Sequence, residues 1–97
     1  MNLSDWRRRI DDIDKRLVKL LNERSKCALE VGKLKQEQNM PLYQPEREKD
    51  VLNNVESNNR GPLSDAAIRR LFERIIDEAR SAERLAMYAD SPAKEPE

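Results

Sequence analysis

The sequence predicts an all-α fold of three helices, the first of them very long. Apolar residues recur at helical spacing through most of the chain. No proline occurs before Pro41. Two short segments, "NMPLYQP" and "NNRGPLS", then interrupt the pattern with helix-breaking residues. At 97 residues the chain is one domain at most.

The first helix is expected from about Leu3 to Asn39, with Ser4 or Asp5 as its cap. Its apolar residues are Trp6, Ile10, Ile13, Leu17, Leu20, Leu21, Cys27, Ala28, Val31 and Leu34. Gly32 is its one weak helix former, costing roughly 1 kcal/mol relative to alanine. A glycine there either permits close approach by another backbone or a ligand, or is a tolerated defect. The second helix is expected from about Pro45 to Asn58, with Gln44 able to cap it, Pro45 suited to the first turn, and Val51, Leu52 and Val55 inward. Ser64 is the expected cap of the third helix, and Leu63 can pack on Ile68 as a hydrophobic staple. The inward stripe of that helix is Ile68, Leu71, Phe72, Ile75, Ile76, Ala79, Ala82 and Ala86. Residues 1–88 form the expected helical domain. The polar, proline-bearing residues 89–97 are expected to be a disordered tail or a linker.

A first helix of about 36 residues is roughly 54 Å long. A compact domain of this size has a radius of gyration of only about 13 Å. Two shorter helices cannot cover so long a stripe. Self-association is the natural solution, with two long helices packed along each other in a homodimer.

Composition narrows the function classes. The chain has 19 basic and 19 acidic residues, interleaved along its length. Nucleic-acid proteins usually carry a clustered basic excess, so that class is disfavoured. The run Arg7-Arg8-Arg9 is followed at once by Asp11, Asp12 and Asp14, and a solvated helix face explains at least two of its arginines. Cys27 is the single cysteine and there is no histidine, which leaves no intramolecular disulfide, no plausible zinc set and no familiar nucleophilic triad. A free thiol, with neither a signal-peptide core nor an apolar run of membrane-spanning length, indicates a cytoplasmic protein. Any chemistry must use Arg, Lys, Glu, Asp and hydroxyl residues.

Charges stand where the apolar pattern calls for carbon. Arg24 interrupts the seam of the first helix, and Lys35 lies about 20° round from it and roughly 16 Å along the axis. Arg47 and Glu48 point along the inward side of the second helix, and Glu83 continues the series Phe72, Ile76, Ala79 in the third. One such charge is usually a long side chain snorkelling from the stripe's edge, or a device that sets register. All three helices carry one, and the set is cation-rich. A buried unpaired charge is costly, so the set calls for an anionic ligand between the helices. Two or more arginines suit carboxylates, which they grip bidentately.

The stretches "RRRIDDIDKRLVKLLNERSKCALEVGKLK", "YQPEREKDVL" and "IRRLFERIIDEARSAERL" resemble, in order and spacing, the all-helical AroQ class of chorismate mutases. The resemblance covers about Leu3 to Leu85. Its markers are Arg7, "LNER" with Arg24, "VGKLK" with Lys35, and Arg47-Glu48. It implies an intertwined homodimer of six helices with two active sites, each completed by Arg7 of the partner subunit. Geometry agrees, since Arg7 and Arg24 are roughly 25 Å apart along one helix and about 100° apart around it.

The implied reaction converts chorismate to prephenate, the shikimate-pathway branch to phenylalanine and tyrosine, without cofactor, metal or covalent intermediate. By resemblance, Arg24 and the partner's Arg7 hold the carboxylates and Arg47 adds positive potential. Lys35 donates to the ether oxygen and a carboxylate, and Glu48 accepts from the ring hydroxyl. Glu83 is the other partner of the ether oxygen. An ionised Glu83 would repel the charge developing there, whereas a protonated one can donate. Gln44 stands where some relatives have an acidic residue, and Ala79 where some have a serine that binds a carboxylate. Two alternatives are an isochorismate-pyruvate lyase on the same scaffold and a non-catalytic helical dimerisation or regulatory module. In a non-catalytic module, chorismate would not raise the melting temperature.

Overall fold

The computed structural model describes residues 1–89 and contains three helices, α1 (Leu3–Glu37), α2 (Pro45–Ser57) and α3 (Asp65–Ala89). Of the expected tail 89–97, only Ala89 is described, as the last residue of α3.

The cap of α1 is Asn2 rather than Ser4 or Asp5. The Asn2 side chain accepts from the Asp5 backbone N–H at 2.9 Å, and the Asp5 carboxylate accepts from the Asn2 N–H at 3.1 Å. This reciprocal capping box satisfies two otherwise orphaned donors, and it draws Ser4 and Asp5 into the first turn. At its other end α1 stops at Glu37, short of the expected Asn39. Asn39 adopts φ 58°, a left-handed conformation that asparagine tolerates better than most residues. The Met40 N–H then donates to the Lys35 carbonyl at 2.8 Å, and the Asn39 N–H to the Gln36 carbonyl at 3.2 Å. These two bonds are a Schellman closure, which turns the chain back over the last turn of α1.

Pro45 occupies the first turn of α2 as expected, but the Gln44 side chain makes no capping bond. Only the Gln44 carbonyl engages the helix, accepting from the Glu48 N–H at 3.1 Å. α2 ends at Ser57, one residue before the expected Asn58. Asn59 organises the second break: its amide donates to the Leu63 carbonyl and the Asp65 carboxylate, both at 2.8 Å, and its oxygen accepts from the Gly61 N–H at 3.1 Å. Gly61 there has φ 75°, where a side chain would be strained. The Ser64 hydroxyl caps α3 as expected, accepting from the Ala67 N–H at 3.1 Å. Leu71, expected to pack inward, and Leu63, expected to pack on Ile68, are about half exposed.

α3 is the element on which both other helices pack. α2 runs antiparallel to it, pinned at one end by the Glu56–Arg69 ion pair (2.6 Å) and at the other by Glu48–Arg80. Leu52 and Ile76 are the buried large apolar residues between them. α1 meets α3 only through its C-terminal half. Every residue from Trp6 to Glu23 is exposed, including Ile10 at 55%, Leu17 at 50% and Leu20 at 59%. The arginine run lies in this projecting half, where Arg8 pairs with Asp5 and Arg9 sits over the Trp6 ring. The chain is 58 Å in its longest dimension with a radius of gyration of 17.3 Å, against about 13 Å for a compact domain of similar length. Among the described residues, no helix is long and apolar enough to cross a membrane.

Candidate active site

The C-terminal half of α1, the start of α2 and the C-terminal half of α3 enclose an open cleft of about 260 Å³. Its apolar wall is made by Ala28, Val31, Leu42, Val51, Ile76 and Ala79. Its ionisable groups are Arg24, Cys27, Lys35, Arg47, Glu48, Arg80 and Glu83, and Gln44 sits at the edge. Seven of the eight sequence candidates, namely Arg24, Lys35, Gln44, Arg47, Glu48, Ala79 and Glu83, therefore meet in one place. Arg7 does not line the cleft and lies exposed on the projecting half of α1.

Local structure explains how each group arrives. The Schellman closure returns the chain past the end of α1, so that the Leu42 carbonyl accepts from Lys35 Nζ at 3.2 Å. That bond fixes the reach of a side chain otherwise free in four torsions. Glu83 comes in from α3 directly over Gly32, and it is 8% exposed, the most buried ionisable residue described. A Cβ on Gly32 would lie 3.3 Å from Glu83 Cγ. The weak helix former in α1 thus makes room for an acid. Arg47 is exposed on the cleft's outer edge, while Glu48, next to it on α2, is partly buried and turned toward α3.

Sequence reasoning missed Arg80. Its guanidinium pairs with the Glu48 carboxylate and lies 4.9 Å from the centre of the Tyr43 ring. The apolar series in α3 passed through Ala79 and stepped over it. Yet Arg80 lies four residues after the buried Ile76 and so shares its face.

The cleft holds four basic side chains, Arg24, Lys35, Arg47 and Arg80, against the acids Glu48 and Glu83. The Glu48–Arg80 pair largely neutralises itself, which leaves Arg24, Lys35 and Arg47 to face an incoming ligand. The volume is slightly below the roughly 300–1,000 Å³ common for small-molecule sites. A compact dianion fits both the charge and the size. The fixed donors can stabilise negative charge that develops on such a ligand, with orientation supplied by the apolar wall.

A family model described as chorismate mutase type II matches residues 6–84. The bifunctional chorismate mutase/prephenate dehydratase of Neisseria gonorrhoeae is 41% identical over 78 residues, which are 80% of this chain and 21% of that protein. The chain thus spans about a fifth of the length of the bifunctional relatives it matches. Among solved structures, a chorismate mutase (form II) from Thermus thermophilus superposes with a TM-score of 0.83 at 32% identity, covering 84% of this chain and 93% of that one. A chorismate mutase from Helicobacter pylori in complex with prephenate superposes with a TM-score of 0.80 at 27% identity, covering 88% of this chain and 92% of that one.

Proposed function

The chain belongs to the type II chorismate mutases, and on that premise we propose that it rearranges chorismate to prephenate in the α1–α2–α3 cleft. The observation that carries this reading is the convergence of Arg24, Lys35, Arg47, Glu48 and Glu83 from three helices on one small cleft.

The rearrangement is unimolecular: an ether C–O bond breaks as a C–C bond forms. The site's work is to hold the substrate folded and to stabilise charge on the departing oxygen. Arg24 takes one carboxylate. Lys35, held by the Leu42 carbonyl, donates to the ether oxygen and to a carboxylate. Glu83, buried against Gly32, is the second hydrogen-bond partner of the same ether oxygen. Glu48 accepts from the ring hydroxyl and Arg47 adds positive potential at the edge. Gln44 contributes at the rim. Ala79 supplies apolar contact where a serine would bind a carboxylate.

The site is completed by a second copy of the chain. An intertwined homodimer would bury the projecting half of α1 with its exposed Trp6, Ile10, Ile13 and Leu17. Pairing two such halves brings Arg7 of the partner subunit toward Arg24 and closes the open side of the cleft. Residues 1–88 form the catalytic domain in this reading, and the protein is cytoplasmic.

The test is product analysis on purified protein supplied with chorismate or isochorismate, together with light scattering for mass. Prephenate from chorismate and the mass of a dimer are expected. Pyruvate release from isochorismate without prephenate formation would instead identify a lyase. No conversion and no ligand-induced rise in melting temperature would leave only a helical dimerisation module.

A further inference from the structure

Arg80 is a charged residue of the cleft with no part in the reaction as proposed, and three features show that its position is specific. It joins α3 to α2 through the Glu48 carboxylate, with both side chains about a quarter exposed. Its guanidinium lies over Tyr43, which comes from the α1–α2 connection. Its Nε is buried without a hydrogen-bond partner, so the side chain is not optimised for stability.

We propose that Arg80 is a positioning residue for the rearrangement, fixing the Glu48 carboxylate so that one of its oxygens faces the substrate's ring hydroxyl. The inference rests on the chorismate mutase reading. The chemistry is simple. A carboxylate offers about four lone-pair sites on two oxygens. Arg80 Nη2 occupies Oε2, which leaves Oε1 to accept from a hydroxyl. An unrestrained glutamate near the start of a helix samples several rotamers, and only some of them present an oxygen to the cleft. With Arg80 in place, the carboxylate is held from the side opposite its own helix. The Tyr43 ring, 4.9 Å from Arg80 Cζ, gives the guanidinium a second contact, of a kind that Arg makes more often than Lys.

The experiment is a double-mutant cycle read in steady-state kinetics with chorismate: wild type, Arg80→Met, Glu48→Ala and the double variant, with Arg80→Lys alongside. Methionine keeps the unbranched stem and removes the charge. Arg80→Met is expected to lower kcat/KM by roughly tenfold to a hundredfold, equivalent to one charge-assisted hydrogen bond. In the Glu48→Ala background the same substitution should change kcat/KM by less than about threefold, because its target is gone. Arg80→Lys should recover part of the loss. A general structural defect would instead make the two costs multiply. Multiplying costs, or an Arg80→Met variant with wild-type kcat/KM, overturn the positioning role. Should Arg80→Met melt below the assay temperature, the cycle is run with Arg80→Lys and read by the same criterion. An inactive wild type overturns both this role and the proposed function, whereas an active wild type with multiplying costs overturns this role alone.

Discussion

Glu83 lies across Gly32 so closely that a Cβ on the glycine would sit 3.3 Å from Glu83 Cγ. One backbone position on α1 therefore sets the place of a buried acid on α3. Alanine favours a helix interior by roughly 1 kcal/mol over glycine, so Gly32→Ala strengthens α1 while pushing Glu83 aside. The expected result is a melting temperature equal to or above that of the wild type, with kcat reduced several-fold. Thermal melts and steady-state kinetics on the same preparation check it. An unchanged kcat would show that Glu83 need not occupy its present place.

The role of Glu83 at the ether oxygen has its own test. Glutamine keeps a hydrogen-bond donor of the same length at that place, whereas alanine removes the group. Glu83→Gln should therefore keep most of the activity, and Glu83→Ala should lower kcat/KM by about 100-fold. Steady-state kinetics of the two variants give the comparison. Equal losses in both would remove this role.

Arg7 is exposed on the projecting half of α1 and absent from the chain's own cleft. If it serves the partner's site, Arg7→Ala and Arg24→Ala should each be inactive alone. Mixing the two variants under conditions that allow subunit exchange should restore activity, because each heterodimer contains one site free of both substitutions. Mixtures that stay inactive after confirmed exchange would place Arg7 outside the active site.

The Schellman closure at Asn39 couples the end of α1 to Lys35. A β-branched residue tolerates φ 58° poorly, and the left-handed conformation costs roughly 1–2 kcal/mol per non-glycine residue. Asn39→Val should lower stability by about that amount and raise KM, since the turn carries the Leu42 carbonyl that holds Lys35 Nζ. Asn39→Gly should leave both nearly unchanged. Denaturant unfolding and KM for the two variants give the comparison, and equal behaviour would contradict the coupling.

The helices were legible in the sequence because uninterrupted 3.6-residue periodicity leaves little choice of secondary structure. Arg24, Lys35, Arg47, Glu48 and Glu83 lie on the cleft because charges on an apolar stripe can be read from one chain, whereas Gln44 and Ala79 are candidates only through the family resemblance. The ends were less clear. Asn2, Ser4 and Asp5 are all cap-type residues, and the capping-box spacing from Asn2 to Asp5 is the signal that separates them. Arg80 escaped notice because an apolar stripe on a helix is wide. Following it through Ala79 is as natural as following it through Arg80, and only the pairing with Glu48 across to α2 decides. Leu71 fits the inward pattern of α3 and is nonetheless 53% exposed. Periodicity marks which face is apolar, but not whether the same chain covers it.

The central claim is that fixed cations in this cleft accelerate the rearrangement. The most direct measurement is the consumption of chorismate and appearance of prephenate by the wild type and by Lys35→Ala, whose folded state is checked by its melting temperature. The wild type should convert chorismate to an equal amount of prephenate. Lys35→Ala should be slower by about 100-fold or more, the cost of removing one preorganised donor from a developing negative charge. Equal rates for the two proteins, or no conversion by the wild type, would contradict the account.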